Sequence, residues 1–455
     1  MDEPRVMRRL TIAGDGDDNE WSDRCVLLWD AMEPAMPGND APVIVVSSDC
    51  HIGPRLVADL RPYCPSAHLD DFDGFVAQTQ ALRADIYARM PTRSSPAFTR
   101  NQSTAGHYDS EARLRDLDRD GVAAEIIFHG SQNEEPIPFG TFVVFIDPST
   151  NDKSLIALGR HIYNQWLADF CALAPARRVG LAQLPLWDID AAINEVEWAH
   201  THGLGGINFP APRPGVPMYN DRAWERFWAV CAERHMTLTC HSGAGDPSAW
   251  TGPEATALLS IESGGWFSRR ALHQMIFGGV FERHPDLQLV LTEQPGDWWP
   301  YTLRELDSAW MAHSHEFRDQ VPRLPSEYCQ RNVSVGSSFL AHFEAEAAVR
   351  DGYVDKILWG SDYPHMEGTY QRPHDVDDPS MSLLAMRHTF AGLDAGAVRA
   401  MAGENAVRVY GLDADELTHV ATRIGAPSVV DLTTPIDAVP ADGGALAFRT
   451  FGPWA

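Results

Sequence analysis

Short apolar runs recur along the chain from about residue 42, and most gaps between them carry apolar residues three and four apart. The runs fall at 42–48, 123–128, 178–183, 205–209, 237–241, 287–292, 333–335 and 357–361. Runs such as VIVV and LQLVLT are apolar on both faces, which suits the buried strands of a parallel sheet. The intervening spacing predicts helices over 152–174, 190–203, 220–234, 271–283 and 341–350. The second of these opens at a carboxylate, Asp190, and stops at Gly203. In the third, Trp224, Phe227, Trp228 and Cys231 share one stripe. Eight strands alternating with helices predict an α/β protein, a (β/α)8 TIM barrel. The rival is an open doubly wound sheet. That fold carries a glycine-rich turn after its first strand, whereas this chain has Ser-Asp-Cys-His there.

The same pattern divides the chain. Residues 1–42, with GDGDDNE, Pro34, Pro37 and Gly38, read as an N-terminal extension, and 43–412 as the barrel. Residues 413–455, with Pro427, Pro435, Pro440, Gly443 and Gly444, read as a C-terminal tail. Two stretches, 53–108 and 130–150, are too long for simple connections. They follow strands one and two. Loops after barrel strands emerge on the catalytic face, so both are expected to form a lid.

Composition narrows the function. Lys and Arg number 36 against 63 Asp and Glu, a formal net charge of −27. That field repels phosphate backbones and anionic membranes, so neither nucleic acid nor membrane is an expected partner. A small-molecule substrate is expected, and a homodimer is compatible with the sequence. No apolar run approaches the roughly 20 residues of a membrane span, and no leader is visible. Seven scattered cysteines form no CxxC pair, so the expected compartment is the reducing cytoplasm.

The ionisable residues gather at strand ends. Asp49 and His51 follow strand one, and their i, i+2 spacing puts both on one face. His241 ends TLTCH, Glu293 ends LQLVLTE and Asp362 ends KILWGSD. A single histidine at a strand end is usually structural. Carboxylates beside histidines at four strand ends are better explained by a cation that offsets their repulsion. The expected metal set is Asp49, His51, His241, Glu293 and Asp362. Cys50 points to the opposite face and reads as packing. Around the set, His365 either polarises a carbonyl or caps a turn. Arg55 either clamps a carboxylate or is solvated. His129 is a pocket candidate, and Trp298 either walls the substrate or anchors the next helix. Glu125 either faces the site or makes a structural ion pair.

The order Asp-x-His, a strand-five His, a strand-six Glu and GSDYPH resembles the amidohydrolase superfamily. More narrowly it is similar to the amidohydrolase-related group that includes aminocarboxymuconate-semialdehyde decarboxylase. LRDLDRDGVAAEIIF, GLGGINFP, GGVFERHPDLQLVLTE and ENAVRVYGL fit the same group, so the resemblance covers roughly 43–412. It implies a (β/α)8 barrel with one divalent ion (zinc, manganese or iron), or two. It also implies that Asp49 and His51 are the strand-one pair, His241 the strand-five ligand and Asp362 the strand-eight aspartate. Two positions depart from the better-known members, which have His-x-His on strand one and often His on strand six. Oxygen-rich ligation moves the preference from zinc toward manganese or iron. It leaves Glu293 as a ligand, a bridge or a base.

The leading expectation is a metal-dependent hydrolase using metal-activated water on an amide, ester, lactone or thioester. In it Asp362 moves the proton, with His241 and Glu293 as the other catalytic groups. The alternative is a metal-dependent non-oxidative decarboxylase of an aromatic or unsaturated acid. No basic motif marks the strand ends, which favours hydrolysis. A non-catalytic barrel would have lost the strand-end ligands, and this chain keeps them.

Overall fold

The computed structural model describes residues 38–89, 100–140, 152–242, 268–338, 340–375 and 377–440. Eight strands form one sheet in the order β1 to β8, each parallel to the next. They are β1 (Val46–Ile52), β2 (Ala124–His129), β3 (Arg178–Ala182) and β4 (Gly206–Asn208). The second half is β5 (Thr237–His241), β6 (Leu289–Thr292), β7 (Val333–Ser338) and β8 (Ile357–Gly360). The ring closes where the Asp362 N–H donates to Asp49 O at 2.9 Å and the His51 N–H donates to Tyr363 O at 2.5 Å. This is the (β/α)8 barrel that the alternation predicts.

The helices follow the apolar stripes. Lys153–Ala172 and Ile189–Thr201 begin where the carboxylates of Asp152 and Asp188 accept from first-turn N–H groups. The helix expected over 271–283 is two pieces, Arg270–Phe277 and Val280–Arg283. Between them Gly279 takes φ 66°, and a Cβ there would lie 2.6 Å from Gln320 O. Inside the barrel, Val46, Ala124, Ile126, Phe128, Val179, Leu181, Val290 and Leu358 form one buried cluster. The larger core lies between strands and helices and includes Ile127, Leu238 and Leu289.

Three boundaries differ from the pattern-based ones. Strand one runs to Ile52, so Asp49 and His51 lie within it rather than after it. Its polar half is held by β2 on one side and by residues 362–363 on the other, which polarity alone does not reveal. Residues 53–108 hold the helix Leu69–Arg89, whose Phe72, Phe75 and Val76 are buried in the larger core. Residues 90–99 and 141–150 of the two insertions lie outside the described residues, as do 1–37 and 441–455. The stretch read as a tail carries the helices Ala414–Ile424 and Val429–Thr433. Leu417, Val420 and Ala421 join the interior cluster, and Val429 and Leu432 the larger core. Their i, i+3, i+4 spacing is that of an amphipathic helix, obscured in sequence by Pro427, Pro435 and Pro440 in the same stretch. No helix among the described residues is long and apolar enough to cross a membrane.

Candidate metal centre at the mouth of the barrel

A register shift between Ser47 and Cys50 resets the alternation of β1, so that Asp49 and His51 turn inward and Cys50 outward, where it packs with Tyr363 and Tyr370. Burial pushes the Cys50 thiol far up, which suits packing and not nucleophilic chemistry. His241 ends β5 and reaches the same point. Its Nε2 lies 3.2 Å from His51 Nε2 and 3.4 Å from Asp49 Oδ1. His51 Nε2 lies 3.2 Å from both Asp49 Oδ1 and Asp362 Oδ1. Each histidine is oriented from behind. His51 Nδ1 donates to His129 O at 3.3 Å, and His241 Nδ1 donates to Ser242 O at 2.7 Å. Those bonds leave both Nε2 atoms aimed at one spot, which is how protein metal sites fix their imidazoles.

The carboxylates complete the spot. Asp49, His51 and His241 offer ligand atoms within 4.8 Å of one another, as do His51, Asp362 and His365. Asp49 Oδ1 and both Asp362 oxygens are fully buried yet accept no aligned hydrogen bond among the described residues. Buried carboxylate oxygens without partners are costly. A divalent ion satisfies them, so the donor set fits a metal, and its carboxylate content suits manganese or iron as well as zinc.

Two residues reach the site through unusual backbone. Glu293 and Asp362 have φ of 56° and 53°, the left-handed region. Each costs on the order of 1–3 kcal/mol, a strain that tends to collect at functional sites. Each stands just after a strand, and the turn swings its carboxylate over the barrel mouth. Glu293 Oε2 accepts from the Ser242 hydroxyl and lies 3.4 Å from His241 Nδ1. Burial drives its carboxyl up to about 7, with Asp362 and Asp49 adding to the effect against His241. Burial also pushes Asp49 up, but the positive charges of His241 and His51 beside it override that and hold Asp49 well below the carboxylate range.

The neighbouring residues divide. His365 stacks on His51 with ring centres 3.9 Å apart, and its Nδ1 is 2.9 Å from Asp362 Oδ1. Burial opposes its charge, but Asp362 and Glu367 raise its pKa to about 10. His129 contributes its carbonyl to His51, and its ring packs on Tyr163, with burial lowering its pKa to about 4. Arg55 is not brought to the cluster. Its guanidinium is exposed, fork-bonded to Asp59 at 2.9 Å and laid over the Tyr108 ring. Trp298 sits at the start of the helix Trp299–His313 with Arg269 over its ring, an anchoring position. Glu125 makes the structural ion pair, with Arg113. Glu367, which sequence reasoning missed, groups with Glu293 and Asp362 within 4.8 Å. Its signal was its place two residues past His365 in the GSDYPHMEG turn.

A family model described as amidohydrolase matches residues 143–412, more than half of the chain. The chain belongs to the amidohydrolase family. It is an enzyme of that superfamily, as the strand-end pattern implies. A gamma-resorcylate decarboxylase of Rhizobium radiobacter is 24% identical over 270 residues, covering 56% of this chain and 76% of the relative. A 2-amino-3-carboxymuconate-6-semialdehyde decarboxylase of Dictyostelium discoideum is 23% identical over 274 residues, covering 56% and 67%. Among solved structures, a 5-carboxyvanillate decarboxylase of Novosphingobium aromaticivorans superposes with a TM-score of 0.59 at 19% identity, over 82% of this chain and 99% of that one. That structure holds manganese and 3-methoxy-4-hydroxy-5-nitrobenzoic acid. At that identity the likeness shows the shared fold. The two sequence relatives overturn the hydrolase expectation, since both are named decarboxylases. That expectation rested on the absence of a basic motif at the strand ends. His365 stands there, and its neighbours Asp362 and Glu367 favour its protonated form in the metal-free site.

The electrostatics give a test of the metal site. Burial opposes the His241 proton, yet Asp49 and Glu293 raise its pKa to about 10, so metal-free His241 is protonated at neutral pH. Ligation needs that nitrogen free, so protons and metal compete, and affinity falls as pH falls. Calorimetry at pH 7 in buffers of different ionisation enthalpy is expected to show about one proton released per ion bound. Uptake without proton release would contradict the ligand role of His241.

Proposed function

We propose that this chain is a metal-dependent, non-oxidative decarboxylase of an aromatic or unsaturated carboxylic acid. Asp49, His51, His241 and Asp362 would hold one divalent ion, with Glu293 beside it. The observation that carries the reading is that the relatives aligned over 56% of the chain are both named decarboxylases. Manganese is the favoured ion, on the oxygen-rich donor set and the manganese in the solved neighbour. When bound, the ion supplies a Lewis-acidic seat for the carboxylate and its neighbouring oxygen.

The chain's own groups manage charge and the proton. Decarboxylation breaks the bond from carbon to carboxylate, releases carbon dioxide and leaves the electron pair on carbon, where one proton must arrive. Asp362 is the proposed carrier, held at the end of β8 with both oxygens buried and free of aligned hydrogen bonds. Glu293, with a carboxyl pushed up to about 7, is a second group able to hold a proton near neutral pH. His365 presents positive charge to an incoming anion, and its stacking on His51 keeps it at the site. His129 fixes the tautomer of His51 through its carbonyl.

The decisive assay is manganese-loaded protein against a panel of hydroxylated benzoic acids and unsaturated carboxylic acids, scored for carbon dioxide and the protonated product. Metal-dependent release from at least one acid is expected. Full manganese occupancy with no release from any of them would overturn the reading.

A further inference from the structure

We propose that the helix Ser110–Arg119, which carries no metal-binding residue, positions the metal-binding segments of β1 and β8 through Tyr363. The inference rests on the metal reading above and goes beyond it. Arg113 is fully buried. Its Nη1 donates to His51 O at 2.8 Å and to Gly106 O at 3.0 Å, and its Nη2 donates to Glu125 at 2.6 Å. The guanidinium carbon lies 4.7 Å from the centre of the Tyr363 ring. Three residues along, on the same helix face, Asp116 Oδ2 accepts from the Tyr363 hydroxyl at 2.7 Å. One helix face therefore grips the carbonyl of His51 and both the ring face and the hydroxyl of Tyr363, the residue after Asp362.

The grip reaches the ligands because the two segments are joined. The backbone bonds from Asp362 to Asp49 and from His51 to Tyr363 mean that Tyr363 cannot shift without moving both. Gly106 sets where Tyr363 can lie. A Cβ there would stand 1.8 Å from the Tyr363 hydroxyl oxygen and 3.1 Å from the ring carbon that bears it. No side chain fits at 106 while the ring holds its place. Outer contacts of this kind tune metal affinity by about 10–100-fold when they are lost.

The test measures manganese affinity by chelator competition, beside the melting temperature of the metal-free protein, in wild type, Gly106→Ala, Tyr363→Phe and the double variant. Gly106→Ala is expected to weaken manganese by about 10–100-fold. Tyr363→Phe alone should lose several-fold. The double variant should recover most of the Gly106→Ala loss, because the atom nearest the new methyl is gone. A purely structural role would move melting temperatures and leave the affinity of the folded protein alone. Wild-type affinity in Gly106→Ala, or no recovery in the double variant, overturns the inference. Should Gly106→Ala not fold, Asp116→Ala removes the acceptor without adding atoms. It is expected to bind about tenfold more weakly, and unchanged affinity again overturns the inference. A wild type that takes up no manganese would instead sink the metal reading itself.

Discussion

Asp362→Asn is expected to keep its metal and lose on the order of 10²-fold or more in turnover, the scale of general acid–base catalysis. The substitution isolates the proton because little else changes. Asparagine keeps the shape and one oxygen donor, and it is among the few residues that tolerate the left-handed backbone found at 362. What disappears is a basic oxygen. His365 Nδ1 lies 2.9 Å and His51 Nε2 3.2 Å from that carboxylate, and an amide at 362 can relay no proton from either of them to the substrate carbon. Elemental analysis should return the wild-type metal content, while steady-state kinetics with a turned-over acid should show the loss in kcat. Full metal with near-normal turnover would transfer the proton role to another group, and Glu293 is then the first to replace.

The barrel was legible in the sequence because buried parallel strands are apolar on both faces and cannot disguise themselves. Six of the strands β2 to β8 have both ends within two residues of the apolar runs, and β7 starts on its run and continues three residues past it. The first strand was displaced because its working half, SSDCH, is polar and is held by backbone bonds to β2 and to residues 362–363. The convergence of Asp49, His51, His241, Glu293 and Asp362 was legible from strand-end positions alone, since a parallel barrel delivers all such ends to one face. What distinguishes them in space was not. The left-handed turns at Glu293 and Asp362 are invisible in a sequence, because Asp and Glu there look like any loop carboxylate. Arg55 was a reasonable carboxylate clamp by spacing, but Asp59, four residues on, captures it locally. The cationic character of His365 depends on Asp362 and Glu367 closing around it, a tertiary effect that spacing along a turn does not set. That gap is why hydrolysis looked preferable.

Glu125→Ala is expected to destabilise the fold by about 3–5 kcal/mol, the cost of leaving buried charge uncompensated. From sequence, this residue either faced the site or made a structural ion pair. Its strand position decides for the pair. Phe128 points inward, where it packs on His51 and His241, so Glu125 three residues earlier points to the helix side of the sheet. There it is fully buried, bonded to Arg113 at 2.6 Å and 3.5 Å from Arg178. Burial pushes the Glu125 carboxyl up, and Arg113 and Arg178 pull it below its ordinary value. A depressed carboxylate contributes stability above the unfolded-state pKa and loses it as pH falls through the folded one. The gap between wild type and Glu125→Ala should therefore be widest at neutral pH and narrow on acidification. Urea unfolding at pH 7 and again in acid measures it. A neutral-pH loss under about 1 kcal/mol, the scale of an exposed pair, would mean that water reaches the two guanidiniums. Arg113 would then be no fixed prop for the His51 carbonyl. If instead the full loss appears, the variant's folded fraction should also bind manganese more weakly, because the same guanidinium that loses its carboxylate holds the strand carrying His51.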